Sequence, residues 1–187
     1  DAPQRFHETV SLETDIAVTK RLKAVEDYLS AEQWERAIDV LQEISRGHEG
    51  TLVAISPGRY VNASVYCNLL LSRLTREGLA VYRRMIDPEI RRRFEKGRRT
   101  RDENLLRQVL RHGFVSSYGD DALLLLGEWA WERGELNVAR SYWRQLLPHT
   151  ASDDQPAMSP RYPDPEFGEA EILARLILCS LAEPNFT

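Results

Sequence analysis

Residues 127–146, GEWAWERGELNVARSYWRQL, constrain the fold more than any other part of the chain. Two helical patterns meet there at Gly134-Glu135, a pair suited to ending one helix and turning into the next. Gly127 and Ala139 are the small residues of the two patterns, and small residues let two helix backbones approach closely. Trp143 and Leu146 then supply bulk beside them. A segment so ordered reads as an antiparallel helical hairpin, with its tryptophans on the inside of the joint. The competing reading is an aromatic clamp for a ligand. Trp129 and Trp131 are two positions apart on one helix, so they point in different directions and cannot form one flat platform. Core packing is therefore expected for Trp143, and for Trp34 upstream. At least one of Trp129 and Trp131 is expected to face outward or towards a neighbour.

The same small and large positions recur in residues 24–44. With Ala37 placed on Ala139, Tyr28 and Trp34 take aromatic places, and Leu41 and Ile44 follow at the matching offsets. This spacing is that of the tetratricopeptide unit, a helix–turn–helix of about 34 residues. Ala37 and Ala139 lie 102 residues apart, a multiple of that length. Glu32-Gln33 stand where the first hairpin should carry a glycine. Around Leu71 and Leu105, at the intermediate positions, no repeat is recognisable, so the pattern covers two hairpins and not an array.

The remaining elements follow from periodicity and punctuation. Val18, Leu22, Val25 and Leu29 mark one face of a helix beginning near Ser11, and residues 1–10 read as a loose arm. TLVAISPGRYVNA, around 51–62, gives the one strand signal, a small hairpin turning at Ser56-Pro57-Gly58. Helices are expected from Asn62 and from Glu77. Asp87-Pro88 suits a fresh helix start, with Asp as cap and Pro in the first turn. Another helix carries Leu105, Leu106, Val109 and Leu110. Five of the nine prolines fall between Pro148 and Pro165, so residues 148–165 read as a connector inside the domain. A closing helix is expected over 166–182. Seven or eight helices and one β-hairpin make residues 1–187 a single all-α domain.

Composition narrows the chemistry. The net charge is −4, which gives no global attraction to nucleic acid or anionic membranes, and no apolar run approaches the length of a membrane span. The basic residues concentrate between Arg83 and Arg111, where 11 face five acids. Interleaved acids at ion-pair spacing, such as Glu89 with Arg93, read as a solvated face, so nucleic acid is not the expected partner. Polyanion binding through the segment 83–111 is the alternative. His7, His48, His112 and His149 are scattered without metal-ligand spacing, and no phosphate loop or nucleophile elbow occurs. Asp153, Asp154 and Asp164 read as solvated acids of the connector rather than a calcium site. No catalytic residue, cofactor or metal is therefore assigned. Cys67 and Cys179 read as small core residues, and a bond between them stays open at this stage. The residues left as a possible interaction surface are Trp129, Trp131, Arg91, Arg92, Arg98 and Arg99.

Four segments together carry a resemblance to a known family. They are SPGRYVNAS, EGLAVYRRMIDPEIRRRFEKG, SSYGDDALLLLGEWAWERGELNVARSYWRQLLP and RYPDPEFGEAEILARLIL. They resemble the N-terminal helical region of large exported bacterial proteins whose C-terminal part is a β-propeller of the pyrroloquinoline-quinone type. The resemblance spans residues 16 to 182 and is most specific from Glu77 to Pro148. It implies a tetratricopeptide-like domain that follows a signal peptide and precedes a propeller, in a periplasmic or cell-surface protein. It transfers no catalytic residue and no quinone site. The expected function is a protein–protein interaction or scaffold module that docks a protein, a peptide or the propeller of its own chain. An accessory domain of a quinone-dependent oxidoreductase is the alternative.

Overall fold

The computed structural model of the chain describes residues 16–47, 50–56, 59–148 and 160–183. The arm 1–10, the Pro57-Gly58 turn and residues 149–159 of the connector lie outside the described residues. Those described form eight α-helices and one two-stranded sheet. The helices are α1 (Ile16–Ser30), α2 (Trp34–Gly47), α3 (Ala63–Leu71), α4 (Arg76–Thr100), α5 (Glu103–His112), α6 (Gly119–Glu132), α7 (Leu136–Trp143) and α8 (Glu169–Ala182). A 3-10 turn, Arg144–Leu146, extends α7. The class is all-α, as the periodicity implies.

Three pairs of helices, α1–α2, α4–α5 and α6–α7, are joined by short turns and packed along their lengths. The second helix of each pair then packs on the first helix of the next: α2 on α4, α5 on α6, and α7 on α8. α3 wedges against α2 and α5, and one continuous apolar core runs through the stack. Val18, Leu22 and Val25 of α1 meet Ala37, Ile38, Leu41 and Ile44 of α2 in that core, all buried.

Each pair is closed by the same device. At the end of α6, the Gly134 N–H donates to Trp131 O and the Glu135 N–H to Ala130 O, both at 2.9 Å, with Gly134 at φ +75°. This arrangement satisfies two of the orphan carbonyls at a helix end and requires a left-handed residue. Glu32 takes that place after α1 at φ 56°, and Arg101 after α4 at φ 51°. The Gln33 N–H donates to Tyr28 O at 2.9 Å, and the Asp102 N–H to Gly97 O at 2.9 Å. The middle of the chain, where the sequence shows no recognisable unit, thus contains a third hairpin with the same turn. Gly97 allows its helices to meet: a Cβ there would stand 3.0 Å from Leu105 Cβ and from Leu106 Cδ2.

One expectation is corrected. Asp87-Pro88 does not begin a helix; α4 runs unbroken through Pro88. Leu79, Tyr82, Ile86, Ile90 and Phe94 are all buried, and their stripe keeps its phase across the proline. Burial along that stripe outweighs the missing N–H and the ring's clash with the preceding turn. Asp87 caps a different segment, since its Oδ1 accepts from the Ser117 N–H at 3.1 Å.

The sheet is the expected hairpin. β1 (Leu52–Ser56) pairs antiparallel with β2 (Arg59–Asn62), with Val53 opposite Val61. Both valines face the core, 2 % and 7 % exposed. Asn62 ends β2 and caps α3, its Oδ1 accepting from the Ser64 N–H at 2.9 Å. The closing helix starts at Glu169 rather than at 166. The Glu166 N–H is taken by Asp120 Oδ2 at 3.0 Å, which holds that residue outside the helix.

Candidate functional site

The tryptophans form a joint. Trp143 is 3 % exposed and donates its indole N–H to Leu124 O at 3.3 Å. Its ring fills the space left by Gly127, where a Cβ would stand 2.2 Å from Trp143 Nε1. Trp131 packs against it, ring centroids 6.3 Å apart, and is half-buried. Trp129 is 7 % exposed, with the Arg101 guanidinium 5.3 Å above its ring. Trp34 is half-buried against the core, next to Gly78. Neither Trp129 nor Trp131 stands free on the surface: Arg101, which follows α4, lies over the first, and Trp143 of α7 packs on the second.

Most of the arginines are engaged. Arg91 pairs with Glu95 at 2.7 Å, and Arg93 with Glu89 at 2.6 Å, both one turn apart on α4. Arg84 reaches Glu35 of α2 at 2.9 Å, and Arg101 pairs with Glu132 of α6. Arg98 lies over the Phe94 ring at 5.7 Å. Arg92, Lys96 and Arg99 make no ion pair with any described residue, and they fall on one exposed stripe of α4.

Arg83 has a different task. It grips Asp164 with two nitrogens, at 2.9 and 2.6 Å, and also donates to the Tyr162 hydroxyl at 3.1 Å and to Val115 O at 3.3 Å. The Tyr162 hydroxyl in turn donates to Ser116 O at 2.8 Å. The hydrogen bonds to Asp164 hold Arg83 protonated well above its ordinary range, and burial pushes the Tyr162 phenol up. Asp120, 3 % exposed, is raised by burial, and two backbone N–H groups, of Asp121 and Glu166, keep its carboxylate satisfied. This cluster pins the end of the connector onto α4 and the start of α6. Asp164 is spent on Arg83; Asp153 and Asp154 lie outside the described residues. Among the described residues no group of three metal-ligating side chains occurs.

A second polar cluster escaped the sequence. Asn68 Nδ2 donates to Leu110 O at 3.1 Å, Ser45 Oγ to Arg111 O at 3.2 Å, and Gln42 Nε2 to His112 O at 3.0 Å. The Tyr82 hydroxyl adds a bond to His112 O at 3.4 Å. The last carbonyls of α5 are thus capped by side chains of α2, α3 and α4. In the sequence these residues are polar positions inside helices, with no signal that they meet.

Two open features stand out among the described residues. A cleft of about 530 Å³ between α3, α5 and α7 brings together Asn62, Asn68, Arg107, Arg111, Tyr142 and Gln145. Arg107 is tied to Glu103 on its own helix. The second feature is on α8, where Leu173, Ile177, Leu178 and Leu181 are 41, 59, 52 and 76 % exposed. Cys179 and Ile172, on the other side of that helix, are fully buried. Cys67 and Cys179 are both free thiols. No helix is long and apolar enough to cross a membrane among the described residues. No protein-family model, no curated protein and no solved structure matches the chain.

Proposed function

We propose that the chain is a non-catalytic protein–protein interaction or scaffold module, and that the open face of α8 is its docking surface. The observation that carries this is the contiguous exposure of four large aliphatic side chains on one helix. Exposed apolar residues scattered singly need no explanation, whereas a continuous patch marks a contact site. Every earlier first helix of a hairpin has a second helix packed along it, and α8 has none among the described residues. The resemblance to the helical region of exported propeller proteins supplies the partner class, a protein surface, and a periplasmic or cell-surface location.

Replacing Ile177 with a photo-crosslinking amino acid in the native cell tests the reading, with Glu43, exposed on α2, as the control position. The expected result is a protein adduct from position 177 and none from 43. No adduct from 177 contradicts the reading.

A second reading, polyanion binding, rests on the stripe of Arg92, Lys96 and Arg99 at i, i+4 and i+7 of α4. It requires retention on heparin that falls steeply with added salt. Absence of retention at low salt excludes it.

A further inference from the structure

α8 carries two apolar faces, divided by Glu169 and Ser180 on one flank and by Glu171 and Arg175 on the other. Ile172 and Cys179 face the stack and have no exposed surface. Opposite them lie Leu173, Ile177, Leu178 and Leu181, joined by the exposed Ala170 and Ala174. At 3.6 residues per turn these six fall within an arc of about 140° that holds no polar side chain. A helix with apolar residues on two opposite faces is one that is covered on both.

The order of sizes along this face selects the occupant. Ala170 and Ala174 occupy the N-terminal half, and Ile177 and Leu181 the C-terminal half. Two copies of α8 laid antiparallel about a two-fold axis near residues 175 and 176 pair each small residue with a large one. Ala170 then meets Leu181 of the second copy and Ala174 meets Ile177, while Leu173 and Leu178 close the two edges of the seam. The layers have even thickness, which two helices about 8–10 Å apart require. A parallel pair would set alanine on alanine at one end and leucine on leucine at the other.

The charges agree with the antiparallel register. On the flanks Glu171 falls beside Ala182 of the second copy and Glu169 beside Ser180, so neither carboxylate meets another there. Arg175 is held by Glu128 and Glu171 of its own copy, at 3.3 and 2.9 Å, and does not enter the apolar arc. Such a contact is isologous, with the same patch on both copies.

We infer that α8 is a self-docking surface, through which two copies of this chain associate by antiparallel α8–α8 packing. The inference rests on the reading of the open α8 face as an interface and names its occupant. The contact removes on the order of 1,000 Å² from water in total, the lower end for a specific interface. Association is therefore expected to depend on concentration, with a dissociation constant on the order of micromolar to tens of micromolar.

Sedimentation equilibrium of the chain from about 1 to about 300 µM tests it, a range set by that weak affinity. The expected result is a monomer–dimer equilibrium for the parent and a monomer throughout for Ile177→Glu. A parent that stays monomeric, or an Ile177→Glu variant that dimerises equally, overturns the proposal. The register is read by mixing Ala170→Cys copies with Leu181→Cys copies under mild oxidation; the native thiols are buried and stay out of the exchange. A mixed disulfide in excess of either homodimer supports the antiparallel pair, and a dominant Leu181→Cys homodimer overturns it. A monomeric chain whose position 177 cross-links to a different protein rejects self-docking while leaving the interface intact. A chain with no adduct rejects both.

Discussion

Glu32 and Gly134, 102 residues apart, hold the same place in two helical turns, both in the left-handed backbone region at φ 56° and 75°. The glycine pays nothing for that conformation. A side chain there costs about 1–2 kcal/mol.

Glu32→Gly is therefore expected to stabilise the chain by about 0.5–1 kcal/mol, the relief of left-handed strain less the added freedom of the unfolded chain. For a chain of this size that raises Tm by about 1–4 °C. Arg101→Gly, at the third such turn, is expected to give no gain, because Arg101 also pairs with Glu132 and covers Trp129. Thermal melts of the two variants beside the parent check the contrast.

Gly127→Ala tests the tryptophan joint. The added Cβ would enter the space of the Trp143 indole, 2.2 Å from Nε1, and displace it from Leu124 O. Overpacking of this kind costs about 1–3 kcal/mol. A urea titration should show the lower midpoint, and a quench or shift of tryptophan emission should accompany it.

The caps on α5 carry a separate expectation. Asn68→Leu removes the side-chain donor from the half-buried Leu110 O, and Gln42→Leu leaves His112 O with the longer bond from Tyr82 alone, so the second should cost less. An unsatisfied buried acceptor costs about 1–3 kcal/mol. Both variants should unfold at lower urea, and the backbone amides of α5 should lose hydrogen-exchange protection first.

Much of this architecture is legible in the chain and some is not, for identifiable reasons. Ala37, Ile38, Leu41 and Ile44 announce α2, and Gly134 with Ala139 announces the last hairpin, because each residue type suits its place. Arg101 gives no sign of a turn, since arginine is not a left-handed residue by preference; its conformation is imposed by Gly97 and Leu106 packing on either side. Pro88 reads as a boundary because local propensity says so, and only the burial of Ile86 and Ile90 on one stripe reveals otherwise. The α5 caps require the tertiary meeting of three helices. For α8, the apolar residues are evident in the sequence, but which half is covered depends on where α7 lies. The open face is a property of the stack.

Burial pushes the Cys67 thiol up to about 12 from an ordinary value of 9.0. The folded value lies above the unfolded one, so the contribution to stability is complete below about pH 9 and is lost as pH rises towards about 12. Stability of the parent should fall across that window, and more steeply than that of Cys67→Ala, measured by urea midpoints at successive pH values. At pH 8 the native thiol should not react with a disulfide reagent until the chain unfolds.

α8 has one face for the fold, with Ile172 and Cys179, and an opposite face open to a partner. The most direct test is the Tm of Ile177→Glu, measured on dilute, monomeric protein. Ile177 is 59 % exposed and Ile172 fully buried, so the account predicts a Tm within about 2 °C of the parent, where Ile172→Glu loses the fold. A fall for Ile177→Glu as large as that of a core substitution would show that the chain already covers this face, and would contradict it.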